Sequence, residues 1–338
     1  MTAHLTPRMY RDESDLARIL DLVRAGAVDG ARHTYYQVGD VLWRMYQHPL
    51  EAFDPRTRLV LWEDGAGALA AYADLDVTAR AMTLQLHPAL REAPGAADAL
   101  DAMLAWAERQ TTPPPDDGAM PWMYPYLQVD ALEDDTLYLA ALERRGYARE
   151  DTALLVFQRP LAEPEPARPL PPGWAIRSMA ELSAPDELAR RVELHRAVWA
   201  PSRVTLEAYQ RLRQAAGYRP DLDLVAVGPD GAFGAYCICW ADDANRSGEF
   251  EPVGAHPAYR QLGLARAVLL EGCRRLAAGG ATRAIVYTGA ADSPPKFNAE
   301  AARRLYLSAG FTIVNYLVTY RLTRGPGAGA LSPPATGG

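Results

Sequence analysis

Residues 256–269 read HPAYRQLGLARAVL and follow the strand-like run EFEPVGA at 249–255. Beyond Gly263, small or apolar residues fall at Ala265, Val268, Leu269, Gly272 and Leu276. That spacing is the period of a helix with one buried stripe. The run before it reads as a short strand broken near Pro252 and Gly254. Arg260 to Ala265 therefore form the first turn of a helix that leaves a strand. A first turn carries unpaired N–H groups and the positive end of the helix dipole, which suit phosphate oxygens. Gly263 and Ala265 let a bulky anion approach the backbone, and Arg260 adds charge, so a pyrophosphate is the inferred ligand. Small residues placed there only for packing would give the same six-residue pattern. The other phosphate loops, GxxxxGK[ST] and GxGxxG after a strand, are absent from the sequence.

Length and composition bound the rest. The chain has 338 residues, with 49% apolar and 23% charged. That is a globular balance and enough for two domains. A net charge of −7 lacks the basic excess of a nucleic-acid binder. Three cysteines, Cys237, Cys239 and Cys273, make no disulfide framework. Cys237 and Cys239 share a strand face without a second ligand pair, so core packing is expected and a metal is not. No stretch approaches 18 apolar residues and the N-terminus has no apolar run, so no membrane partner and a cytoplasmic location are expected.

The Pro-rich run PLAEPEPARPLPPG divides the chain. We expect a first domain over 1–160, a stiff linker over 161–173, a second domain over 174–323 and a disordered tail over 324–338. In both halves, antiparallel strands precede strand–helix–strand units, which predicts an α/β class with a mixed sheet and helices on its faces. HPALREAPGAADAL from His87 matches the opening stretch without a gap. Where the second copy has Gln261 and Gly263, the first has Glu92 and Pro94. Proline lacks an N–H and a carboxylate repels phosphate, so the first loop is expected to have lost its anion site.

With the strand, the RQLGLA turn, the helix and a late helix NAEAARRLYLSAGF in that order, the second half resembles the GNAT acetyltransferase superfamily. Arg260, Gln261, Leu262, Gly263, Leu264 and Ala265 match its phosphate-binding signature: Gln or Arg, two residues, Gly, one residue, Gly or Ala. Asn298, Tyr306, Gly310 and Phe311 match a second feature. Asn298 lies one residue further from Tyr306 than the family pattern has it. The resemblance implies two tandem GNAT domains, the first degenerate, with acetyl-CoA as co-substrate of the second. It implies that the strands flanking the loop splay apart and that Val253, Gly254 and Ala255 line the pantetheine arm. Amides from Gln261 to Arg266 would hold the pyrophosphate, and Lys296 and Phe297 would edge the cleft. It also puts the acceptor wall between Trp199 and Tyr218.

Acetyl transfer to an amine requires a proton to leave the amine and one to reach the departing thiolate. Transfer from an alkyl ammonium to an ordinary Glu is uphill by roughly 8 kcal/mol, so a Glu base needs a raised pKa or a water relay. Glu249 and Glu251 lie two apart on a strand and face one side. They are the candidate bases, undivided by sequence, and a solvent-facing strand end is the plain alternative. Tyr306 is the candidate acid for the thiolate; its stripe Ala302, Leu305, Tyr306, Ala309 also suits a core residue. By the same gapless comparison Arg80 and Met82 stand at the two glutamate positions in the first copy, and, aligned by the helix-ending Gly, Leu142 stands at that of Tyr306. The expected activity is an N-acetyltransferase acting on a small-molecule or peptide amine. A non-catalytic acyl-CoA-binding or regulatory protein, and an enzyme using another acyl group or an O-acceptor, stay open.

Overall fold

The computed structural model describes residues 5–28, 34–49, 53–111, 127–162, 169–182, 184–289 and 299–323. Asn298, Lys296, Phe297 and the tail over 324–338 lie outside the described residues. The first half runs β1 (Thr6–Met9), α1 (Glu13–Gly26), α2 (Val38–Tyr46), β2 (Leu59–Glu63), β3 (Leu69–Asp76), β4 (Ala81–Leu86), α3 (Pro88–Arg91), α4 (Ala96–Gln110), β5 (Leu127–Leu132), α5 (Thr136–Arg144) and β6 (Ala148–Pro160). The second half repeats the order as β7 (Ala175–Ser178), α6 (Pro185–Val198), α7 (Leu206–Leu212), β8 (Asp223–Val227), β9 (Phe233–Asp242), β10 (Ser247–Ala255), α8 (Leu264–Ala278), β11 (Arg283–Gly289), α9 (Ala299–Ser308) and β12 (Thr312–Leu322).

All described strands join one sheet in the order β1-β2-β3-β4-β5-β12-β6-β11-β10-β9-β8-β7. The halves exchange their last strands. β6 lies beside β11, from Arg283↔Pro160 to Gly289↔Leu154, and β12 lies beside β5, from Leu317↔Leu132 to Leu322↔Leu127. The two exchanged strands then pair with each other. Only β4–β5 and β10–β11 are parallel, and α4 and α8 are the crossovers such pairs require.

The cores follow the exchange. On one face α1, α2, α6 and α7 share a single core, in which Leu20, Leu42 and Tyr72 meet Leu212, Ile238 and Trp240. On the other face each half has its own core beneath its crossover helix. Phe157 of β6 is buried in the second half's core, and Leu317 of β12 in the first half's. No helix among the described residues is long and apolar enough to cross a membrane.

Two local features correct the gapless comparison of the halves. In β10 the register steps from Phe250↔Cys239 to Val253↔Cys237, so Glu251 and Pro252 stand against one residue of β9. This is a bulge, and β4 pairs with β3 without one. Counted through the ladders, Ala81 rather than Arg80 stands where Glu249 does, and the second copy has an extra residue at the bulge. The first copy regains that residue in its loop. Gly95, not Pro94, caps α4 in the left-handed region at φ 93°, as Gly263 caps α8 at φ 76°. The strand EFEPVGA is thus bent rather than broken, and it continues to Ala255.

Candidate active site

α8 begins at Leu264 with Gly263 as its N-cap, so Arg260 to Gly263 form the loop that enters the helix rather than its first turn. His256 caps the short 3-10 turn Pro257–Tyr259 before that loop, its Nδ1 accepting from the Ala258 N–H at 3.1 Å. Gln261 and Gly263 both take positive φ, 66° and 76°. At Gly263 a side chain would find open space, so the constraint there is conformational. The amides from Arg260 to Ala265 donate to no protein acceptor among the described residues. Arg260 is exposed, and neither a hydrogen bond nor an ion pair engages its side chain among the described residues. Arg266 is turned away: its Nε donates to the Ser308 carbonyl at 2.9 Å, tying α8 to the end of α9. Leu262 is exposed at the rim and Leu264 is buried in the core below it.

The expected splay is present. β10 pairs with β11 only from Ser247↔Arg283 to Glu249↔Ile285. Beyond that point β11 stays with β6 and β10 stays with β9. Among the described residues, Val253, Gly254 and Ala255 therefore have no strand on their β11 side. The space between the strands opens next to the free amides of the loop.

The first copy shows what a closed version of this site looks like. Arg91, at the offset of Arg260, makes a two-pronged pair with Asp135 at 2.9 and 2.6 Å. Asp135 is fully buried and caps α5 through the Tyr138 N–H. Tyr35 bridges the two strands: its N–H donates to Gln85 on β4 at 2.7 Å, and its hydroxyl accepts from the Leu132 N–H on β5 at 3.4 Å. Loop amides are taken as well, Glu92 donating to Pro88 and Ala93 to Leu90.

Glu249 is 3% exposed, while Glu251, at the bulge, is half-buried. Glu249 does not face solvent. Its Oε2 accepts from the Asp40 backbone N–H at 3.1 Å, and its Oε1 is buried without a partner. The Glu249 and Asp40 carboxyls lie close enough for each to shift the other. Burial first, then the Asp40 charge, holds the Glu249 carboxyl well above the usual range. Burial also raises Asp40, against the Gln37 N–H, Glu249 and Arg44, which lower it. Two carboxyls this close oppose each other's ionisation, which adds to burial in raising Glu249. Glu251 is pushed up to about 8, by burial first and then by Asp40, with Arg44 opposing. Its backbone carbonyl accepts from Trp240 Nε1 at 2.6 Å, which fixes the bulge.

Tyr306 is 5% exposed and lies against Phe157 at 5.5 Å and Phe311 at 6.1 Å between ring centres. Burial first, then Glu251 and Cys237, raise its hydroxyl, so it is a neutral phenol at physiological pH. That hydroxyl has no protein partner among the described residues. Gly310 ends the helix at φ 81°, as Gly146 ends α5 at φ 79°. Counted back from these glycines, Leu142 is the fully buried counterpart of Tyr306.

The structure differs from the expected acceptor wall. Tyr209 and Tyr218 are buried, and both donate to Asp223, at 2.8 and 3.1 Å. Asp223 also pairs with buried Arg191 at 3.0 Å. His195 contacts the Tyr236 hydroxyl at 2.6 Å, and burial lowers it to about 3. These groups are committed to one another in the core. Facing Glu249 is α2 of the first half, a helix that the sequence reading passed over. The signals were there: Val38, Val41, Leu42 and Met45 have helical spacing, and Gln37 with Asp40 forms a capping box. Gly39 is required for the approach, since a Cβ there would overlap the Trp240 ring and Glu249 Oε2. Gln37 Nε2 also donates to the Tyr287 hydroxyl on β11 at 3.1 Å. Cys237 and Cys239 are core residues, their sulfurs 3.8 Å apart.

No family model and no curated protein sequence matches the chain. Solved structures do. A GCN5-related N-acetyltransferase from Sphaerobacter thermophilus superposes with a TM-score of 0.58 at 21% identity, over 95% of this chain and 96% of that one. A tandem GNAT protein from the clavulanic acid biosynthesis pathway, solved without AcCoA, gives 0.57 at 16% identity, over 94% and 97%. A GNAT-family acetyltransferase from Colwellia psychrerythraea gives 0.57 at 13% identity, over 94% and 99%. From end to end, the chain has the fold of the GNAT acetyltransferases.

Proposed function

We propose that the chain is an acetyl-CoA-dependent N-acetyltransferase that transfers the acetyl group to a primary amine at the site in its second half. The observation that carries this reading is the run of uncommitted amides from Arg260 to Ala265 beside an unpaired strand edge. A helix-entering loop with free N–H groups and a nearby guanidinium suits a pyrophosphate. The open edge of Val253 to Ala255 suits an extended amide-bearing arm. Acetyl-CoA brings an already activated thioester, so the protein's own work is binding, alignment and proton transfer.

Glu251 is the base in this reading. At about 8, its carboxyl brings direct proton transfer from an alkyl ammonium down to about 3 kcal/mol uphill. Glu249 is already committed to Asp40 and supports it. Tyr306, a neutral phenol with its hydroxyl unclaimed, donates to the leaving sulfur. Aligning amine and thioester supplies the rest. The clustered carboxyls favour an acceptor that arrives as a cation, either a small molecule or a peptide amine. A screen of acetyl-CoA with a panel of primary amines, reading free thiol, tests the reading. Amine-dependent release is expected. Acetyl-CoA binding without release for any amine would leave a binding protein instead.

A further inference from the structure

We propose that Asp40, carried by the first half, is a positioning residue of the second half's active site: it holds the Glu249 carboxyl in place and sets the charge state of the carboxylates beside the acceptor. The inference rests on the acyl-transfer reading only for its kinetic test.

Four observations carry it. Asp40 stands 209 residues from Glu249 in sequence, yet its N–H donates to Oε2 at 3.1 Å. Its own carboxyl accepts from the Gln37 N–H at 2.9 Å, which fixes its direction in the first turn of α2. Gly39 brings the turn so close that no side chain fits between α2 and Glu249. Finally, Glu249 Oε1 is buried and unpartnered, a state that costs free energy unless a proton or ligand answers it. A turn built only for packing would not put a carboxyl against a buried carboxyl.

Around these carboxyls, Asp40 and Arg44 lie on α2 and Tyr36 just before it, Tyr72 on β3, Tyr236 on β9, Tyr287 on β11 and Tyr306 on α9. Among them Asp40 is the neighbouring charge that raises Glu251, and Arg44 the one that lowers it. The tyrosines are themselves raised and stay neutral. Removing the Asp40 charge therefore makes both glutamates ionise at lower pH.

Asp40→Asn is the test, because its Oδ1 can still accept from the Gln37 N–H. Two readouts apply. Infrared pH titration of the whole chain should show protonated carboxyls that persist at neutral pH, and the part lost in Glu249→Gln is the Glu249 signal. In Asp40→Asn that signal should titrate at lower pH. With an amine acceptor, the acid limb of kcat/KM should move down on the order of one pH unit. Arg44→Gln should move it the other way. A purely structural Asp40 predicts a lower melting temperature and lower kcat with an unmoved profile, and that result overturns the proposal. So does a carboxyl signal that Asp40→Asn leaves in place. If no amine gives turnover, the acyl-transfer reading fails, and the infrared titration still decides the role of Asp40.

Discussion

Glu251 is the residue on which the chemistry turns. Its folded-state value, about 8, lies above the ordinary 4.5. A carboxyl raised by folding favours the folded state fully below its unfolded value, and that contribution is lost as pH rises towards 8. Glu251→Gln should therefore raise the melting temperature relative to wild type more at alkaline than at acidic pH. The same variant should abolish the acid limb of kcat/KM, and its residual rate should climb with pH as free amine increases. Glu249→Gln should leave that limb in place. An unchanged limb in Glu251→Gln would assign the base elsewhere. Both carboxyls were legible in the sequence as a pair two apart on a strand. Their division of labour was not, because it depends on Asp40, which reaches Glu249 only through tertiary packing.

At the scale of elements, the loop before α8 and the turn of α2 hold the site. Acetyl-CoA should bind once per chain, since among the described residues the second copy has free loop amides and an open splay, while Arg91, Asp135 and Tyr35 close the first. Calorimetric titration should give a stoichiometry near one, and Gly263→Pro should abolish binding because φ 76° is closed to proline. Two equivalent sites would overturn the account. Gly39→Ala should destabilise by about 1–3 kcal/mol in denaturant unfolding, as an inserted methyl forces Trp240 and Glu249 aside. The loop and its helix were readable from local periodicity. The bulge was not, because alternation looks normal on either side of Pro252 and only the β9 register reveals the extra residue.

Across the whole molecule, the exchange of β6 and β12 makes the halves inseparable. β12 has both of its ladder partners, β5 and β6, in the first half. Residues 161–338 alone would leave β12 unpaired and β11 with an open edge. That fragment should fail to fold by itself and should recover acetyl-CoA binding when co-expressed with residues 1–160. A soluble fragment with a cooperative melt would refute this. The repeat and the mixed sheet could be read from element order. Which strand lies beside which could not, since β6 and β12 carry the same alternating pattern whichever half they join. The most direct measurement of the central claim is amine-dependent thiol release from acetyl-CoA by the wild type and by Tyr306→Phe, with acetyl-CoA affinity measured alongside. The account predicts release by the wild type, with kcat lower by roughly 100- to 10,000-fold in the variant and affinity little changed. No amine-dependent release by the wild type, or full kcat in the variant, contradicts it.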